Sequence, residues 1–531
     1  MKTKNWLIGC FIIIILLSIA VINLGYTIDP YFVYHKPLTD KYYYSINNQR
    51  SQNPGIVKHF DYDAIISGSS MTVQFKTSEA ERLFGYSFVK VPFFGGSFKE
   101  INDCISIGLE NNDNIKLVIR GLDMNYFMDD KDTMRTDLGD YPTYLYDNNP
   151  LNDIKYLLNK DVQFGISYNM ISDSRKPNSP IGITDFDDYT SPPGGEQYGK
   201  NAILSSIDIN LASEQEDFSV LSDEEKRTII DNITQNVTAI ADKYPEVSFY
   251  YFFPPYSLAY WMEQNNNGSL YKQLEAEKIV IDLIIQHKNI KLFSFNTKTD
   301  ITSNLNNYYD STHYGPWVNS LILKWLKEGS NEITIENLQN YLALEQEIIT
   351  NYNYSALCNQ EDYEIDQIAE ALANVELTGL APIDALTSSM MSIESQSAVI
   401  TGNDVNKVVK CKGNSYPSSN TDASALDILD NDEYVGIKLH FKASDRTNYL
   451  VFSGQKLTDE GHPSVYVYDS TGTVLGALVV SSYDIDYSKH QYLLSFPSAD
   501  NEEITVLFNG GGTDDSSSPN SEYEFSEIYI Y

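Results

Sequence analysis

Four short stretches hold the residue types that acyl-transfer chemistry needs. "ISGSSM" carries Gly68, Ser69 and Ser70, "PFFGGS" carries Gly95 and Gly96, "GLDMN" carries Asp123 and Asn125, and "YYDSTHYG" carries Asp310 and His313. A serine hydroxyl is a weak nucleophile until a neighbouring base removes its proton. Histidine titrates near neutral pH and is the usual base. An aspartate three residues earlier can accept a hydrogen bond from the other ring nitrogen and orient the imidazole. A glycine N–H and an amide side chain could supply the fixed donors that a tetrahedral oxyanion requires. These parts suit hydrolysis or transfer of an ester and require no metal or organic cofactor.

Such parts work only if the chain brings them to one place. From Asp61 onward, short apolar runs alternate with amphipathic stretches. Strands are expected at 62–68, 86–93, 115–123, 247–253 and 290–295, and helices around 78–85, 98–112, 222–245, 271–288 and 316–328. Strands apolar on both faces and alternating with helices predict an α/β domain, a parallel sheet covered by helices on each side. Sites in such sheets gather at the carboxyl ends of the strands, where all four stretches fall. "FFPPYS" ends the fourth strand, so Tyr256, with Asp123, is a candidate wall of the cleft. The segment 126–221, rich in Asp, Asn, Pro, Gly and Tyr, reads as an inserted cover over a domain spanning 26–350.

Residues 351–387 read as an acidic helical connector. From 388 to 531 the pattern changes to period-two alternation with turn signals, among them Asp469-Ser470-Thr471-Gly472. Six or more short strands without helices predict a β-sandwich of jelly-roll type, a candidate carbohydrate-binding module. Its alternating tyrosines, Tyr466 and Tyr468 among them, suit cross-strand packing or a sugar-stacking platform.

The N-terminus bounds the location. Lys2 and Lys4 precede an uncharged apolar run, and 6–25 is long enough to cross a bilayer core. It exceeds a usual signal-peptide core, which predicts an uncleaved signal anchor. The lysines then hold residues 1–5 in the cytoplasm and the remainder of the chain outside. The chain has 531 residues and a formal charge of −36, which repels nucleic acid and anionic lipid and sets both aside as partners. Only four cysteines occur, Cys10, Cys104, Cys358 and Cys411, and none has metal-ligand spacing. An exported domain without a disulfide framework fits a bacterial cell surface.

The order Gly-x-Ser, then Gly, then Gly-x-x-x-Asn, then Asp-x-x-His resembles the SGNH (GDSL-like) hydrolase superfamily over about residues 60–330. The resemblance implies a three-layer flavodoxin-like fold with Ser70 as nucleophile, His313 as base and Asp310 as its orienting acid. It also implies an oxyanion hole from Gly95 or Gly96 with Asn125. The third block departs from the usual Gly-x-Asn-Asp, since Leu122 and Asp123 follow Gly121 and the amide comes only at Asn125. With its membrane anchor, the chain looks closest to the bacterial branch of D-alanyl-lipoteichoic acid and polysaccharide O-acetylation proteins. That branch implies an acylated cell-surface polysaccharide or teichoic-type polymer as partner, and a neighbouring membrane acyltransferase. Esterase and O-acyltransferase both fit. The competing reading is a non-catalytic surface protein that binds glycan or a partner on a decayed hydrolase fold.

Overall fold

The computed structural model describes residues 2–531 except 138, 188–198, 201–202, 205–206, 208–219, 355–356, 358–382, 403–406, 414–433, 444–445, 459–462, 480–486, 488, 500 and 512–521. Most of the expected connector and part of the expected cover therefore lie outside the described residues. The first helix, α1 (Lys2–Ile28), contains one stretch, Asn5–Ile28, long and apolar enough to cross a membrane and unburied by the rest of the chain. It is followed by α2 (Gln49–His59), which the sequence pattern does not announce.

The central sheet has six strands: β1 (Ala64–Gly68), β2 (Phe88–Pro92), β3 (Leu117–Gly121), β4 (Ser248–Phe253), β5 (Ile290–Ser294) and β6 (Glu332–Ile333). Their order is β2-β1-β3-β4-β5-β6, with the first five parallel and β6 antiparallel to β5. The order 2-1-3-4-5 is that of flavodoxin-like doubly wound sheets, and its direction of winding switches between β1 and β3. The five parallel strands coincide with the apolar runs because such strands are covered on both faces. Helices α3 (Thr77–Phe84) and α4 (Phe98–Asn111) make the first crossovers. Gly85 ends α3 in the left-handed conformation, and a Ser97–Glu100 capping box starts α4. The inserted segment contributes α5 (Ile154–Leu157), a π-helical stretch (Asp161–Ser167) and α6 (Tyr168–Ser174). The sheet is completed by α7 (Asp223–Ile233), α8 (Leu258–Asn266), α9 (Leu270–Ile284), α10 (Pro316–Glu328) and α11 (Leu338–Asn351).

Where α9 and α11 meet the end of β5, two carboxyl groups, Glu277 and Glu345, are buried together. The Tyr341 hydroxyl lies 2.9 Å from an oxygen of Glu277, 2.8 Å from one of Glu345 and 2.7 Å from Ser294 Oγ. Asn296 donates to Glu345 at 2.9 Å. Burial and the neighbouring carboxyl push Glu277 well above the usual carboxylate range, and burial also raises Glu345. The folded chain thus keeps a proton that the unfolded chain releases at ordinary carboxylate pH. Stability from this pair is complete at acid pH and declines as pH rises through the ordinary value toward the raised one. Glu277→Gln supplies a permanent donor toward Glu345. It is expected to stabilise the protein by about 1–2 kcal/mol at pH ~8 and by little at pH ~4. Urea unfolding at the two pH values measures this, and equal effects at both would contradict it.

The C-terminal region is an antiparallel sandwich. One sheet orders β7 (Ser392–Gln396), β10 (Gly436–Lys442), β15 (Glu503–Asn509), β12 (Ser464–Asp469) and β13 (Val474–Val479). The other orders β8 (Ala398–Thr401), β9 (Val408–Lys412), β16 (Glu522–Ile530), β11 (Arg446–Lys456) and β14 (Lys489–Ser498), with Ile383–Asp384 pairing onto β16. Gly472 takes φ +82° in the β12–β13 turn. Tyr466 and Tyr523 are buried and pack the core, whereas Tyr468 is only half-buried. The sandwich rests on α10: β13 packs along the helix, and Lys324 bridges Glu502 at 3.3 Å and Asp469 at 3.8 Å.

Candidate active site

Ser70 is reached directly from the end of β1. Gly68 is required there, because a Cβ would stand 2.6 Å from Thr72 Cγ2 and 3.2 Å from the Gly121 nitrogen. The chain then turns into a single 3₁₀ turn, Ser70–Thr72, with Ser69 as its cap. The two serines have different tasks. Ser69 is buried, donates to Asp123 Oδ2 at 2.6 Å and accepts from the Met71 N–H at 3.3 Å. Ser70 is partly exposed, and its Oγ lies 2.7 Å from His313 Nε2.

His313 is held by the loop between β5 and α10. Asp310 Oδ1 accepts from the backbone N–H groups of Thr312 (2.8 Å) and His313 (2.6 Å). Its Oδ2 lies 2.7 Å from His313 Nδ1. The i, i+3 spacing therefore serves both the loop and the imidazole. Burial pulls Asp310 upward, but hydrogen bonds from His313 and Thr312 and the charge of the imidazole outweigh it and hold Asp310 below the usual aspartate value. Tyr309 stacks on the imidazole at 5.3 Å between ring centres and 15° between planes.

The Ser70 turn and the histidine loop are tied together from below. Asn319 on α10 is buried and donates to the Met71 carbonyl at 3.0 Å. Ser257, after β4, donates to the Ser311 carbonyl through both its N–H (3.2 Å) and its hydroxyl (2.7 Å). Lys90 on β2, buried in the sheet, donates to the carbonyls of Val73 and Phe75, both at 2.6 Å. Burial drops its pKa to about 7. Bonds of this kind fix the Ser70–His313 distance, and a shift of about 1 Å at a reacting group costs on the order of 100-fold in rate.

The remaining expected residues divide. Gly96 donates its N–H to Phe93 at 2.9 Å, so that donor is already used. Gly95 takes φ +55°, and its N–H meets no acceptor among the described residues. The same holds for the N–H of Ser70, a donor that sequence reading did not single out. Asn125 is exposed, and its amide makes no hydrogen bond among the described residues. The loop carrying Gly95 is anchored: the Phe94 carbonyl accepts from Arg50 (3.1 Å) and Arg135 (2.9 Å), while the Phe94 ring faces solvent.

Asp123 and Tyr256 do not line a cleft. Both are buried, and the Tyr256 hydroxyl donates to Asp123 Oδ1 at 2.7 Å. Burial raises Asp123, against the opposing bonds from Ser69 and Tyr256 and the charge of His313. The expectation of a cleft wall is corrected to a buried Ser69–Asp123–Tyr256 set under the Ser70 turn. It follows from the switch between β1 and β3, which sets their carboxyl ends side by side. Asn319, Tyr309 and the second role of Ser69 escaped sequence reading. Only Tyr309 had a local signal, its place beside Asp310. Among the described residues, no group of three or more His, Cys, Asp or Glu side chains could hold a metal ion.

No family model matches the chain, and no curated protein matches it. Among solved structures it is similar to the carbohydrate-binding module CsCBM6-3 from Clostridium stercorarium in complex with cellobiose, at 13% identity over 28% of this chain and 90% of that one, with a TM-score of 0.18. It is similar also to the C-terminal CBM6 of LamC from Zobellia galactanivorans, at 12% identity over 28% of this chain and 97% of that one, with a TM-score of 0.18. Likenesses of this size carry no argument about what the chain does.

Proposed function

We propose that the chain is a serine-dependent esterase or O-acyltransferase of the SGNH-hydrolase type, anchored at a bacterial cell surface by α1. The reading rests on one observation: an unbroken line of hydrogen-bonding contacts from Ser70 Oγ through His313 to Asp310, with 2.7 Å at each step. In the reaction, His313 Nε2 takes the Ser70 proton as Oγ attacks the acyl carbonyl. The N–H groups of Ser70 and Gly95, which meet no acceptor among the described residues, and the Asn125 amide are the donors assigned to the developing oxyanion. Collapse of the tetrahedral intermediate breaks the ester bond, and the imidazolium returns its proton to the leaving oxygen. Water or a polymer hydroxyl, deprotonated by the same imidazole, then takes the acyl group and regenerates Ser70. The substrate class is an acyl ester on a cell-surface polysaccharide or teichoic-type polymer. That class follows from the resemblance in the sequence and from the anchor.

A fluorophosphonate reacts only with an activated serine, so it tests the reading directly. The full chain is expected to be labelled on the peptide containing Ser70, and Ser70→Ala to abolish the label. A folded wild-type protein that stays unlabelled, or a label on another serine, refutes the proposal.

A further inference from the structure

The helix α1 enters the domain without a linker. At its end Asp29 turns the chain at φ +46° and is buried. Its carboxylate accepts from the N–H groups of Val33 (3.0 Å), Tyr34 (2.7 Å) and His35 (3.2 Å) and from the Tyr156 hydroxyl (2.8 Å). Tyr156 stacks on Tyr31 with ring centres 5.5 Å apart, and Tyr34 donates to Asp153 at 3.1 Å. In the last turns of α1, a Cβ on Gly25 would stand 2.4 Å from the Gln163 side chain, so helix and π-helical stretch are in close contact. Around this seat, the segment 151–168, which includes α5 and the π-helical stretch, leaves Leu151, Ile154, Leu158, Phe164 and Tyr168 exposed, Leu151 to 83% and Phe164 to 60%.

Two features say what covers this face. The 24 residues Asn5–Ile28 extend about 36 Å as a helix, a little more than a hydrocarbon core of about 30 Å. The last turn of α1 therefore reaches the head-group level, and α5 and the π-helical stretch, which carry or flank the exposed side chains, pack against α1. Tyr26, also exposed, lies there, where aromatic residues concentrate in membrane proteins. The charge also differs locally: 151–178 carries Lys155, Lys160, Arg175 and Lys176 against Asp153, Asp161 and Asp173, in a chain of net −36. Apolar and aromatic side chains interspersed with cations suit the interface of a bilayer containing anionic lipid.

We propose that the face formed by Leu151, Ile154, Leu158, Phe164 and Tyr168 lies in the head-group region of the bilayer that holds α1. It forms a second, monotopic contact that fixes the tilt of the domain and the height of Ser70 above the membrane. The proposal rests on α1 lying in a bilayer and is independent of the esterase reading.

The test uses the full chain in nanodiscs of phosphatidylcholine with a quarter phosphatidylglycerol, the acyl chains brominated near the carbonyl. Phe164→Trp and Tyr168→Trp replace exposed side chains and leave the core intact. Emission added by each new tryptophan, above the wild-type background, is expected to fall about twofold in brominated relative to plain lipid, as aromatic side chains at that depth contact bromine. Unquenched added emission, with quenching of wild-type Trp6 showing α1 in the bilayer, overturns the proposal. So does cross-linking of these positions between two copies, which would make the face a dimer interface. Absence of Trp6 quenching removes α1 from the bilayer and the proposal with it.

Discussion

Ser70→Ala is expected to lower turnover of a small acyl ester such as p-nitrophenyl acetate by about 10³- to 10⁵-fold, with the fold unchanged. The hydroxyl is the only group removed. Its Oγ interacts with His313, while the turn itself is held by Ser69, Asp123, Asn319 and Lys90. Activity that vanishes while the unfolding midpoint stays put separates a nucleophile from a structural serine. Ser69→Ala makes the contrast. It removes the donor to buried Asp123 and the acceptor of the Met71 N–H, so it costs stability as well as rate. Equal ester turnover in wild type and Ser70→Ala would instead favour a binding protein on a decayed hydrolase fold.

Asp310→Asn is expected to reduce turnover by about 10³- to 10⁴-fold, because the wrong imidazole tautomer is then favoured. The amide oxygen can keep the Oδ1 bonds to the Thr312 and His313 N–H groups, so the loop persists. The amide nitrogen replaces the acceptor at His313 Nδ1 with a donor. The ring then carries its proton on Nε2 and cannot accept one from Ser70. Asp310→Ala loses the loop bonds as well, so it should lower the unfolding midpoint, which Asp310→Asn should not. A pH consequence follows from the downward shift of Asp310. A carboxylate more acidic when folded stabilises fully above its unfolded value, about 3.9, and loses that contribution as pH falls through the folded value. Acid destabilisation of the histidine loop should therefore be weaker in Asp310→Asn. Parallel rate losses and unfolding midpoints in both variants would show that Asp310 only braces the loop.

Ser70, Asp310 and His313 are legible in the sequence because the turn that presents Ser70 and the Asp310–His313 pair are each local, although the contact between them spans 243 residues. Ser70 follows a buried strand by two residues, and Asp310 and His313 meet across one turn. Gly95 and Gly96 look alike in sequence. They separate only when the Gly96 N–H closes a turn on Phe93 and leaves the Gly95 N–H without an acceptor. Asp123 and Tyr256 both follow strands and so suggest a cleft wall, yet their meeting depends on which strands are neighbours. Helices α2 and α8 carry no clear apolar stripe. The hydrophobic residues of α8, Leu258 to Met262, are all buried, so no period marks it.

By itself the sequence determined the five parallel strands, the sandwich beyond them, the apolar first helix and the rim that bears Ser70 and His313. Burial on both faces of a parallel strand selects a contiguous apolar run, and turn chemistry is confined to a few adjacent residues. Only the tertiary structure decided the partners across the chain. The contacts of Asn319 with Met71, Asp123 with Ser69 and Tyr156 with Asp29 just past α1 span 248, 54 and 127 residues. Hydrogen bonds between distant segments depend on strand order and docking, which local residue patterns do not encode.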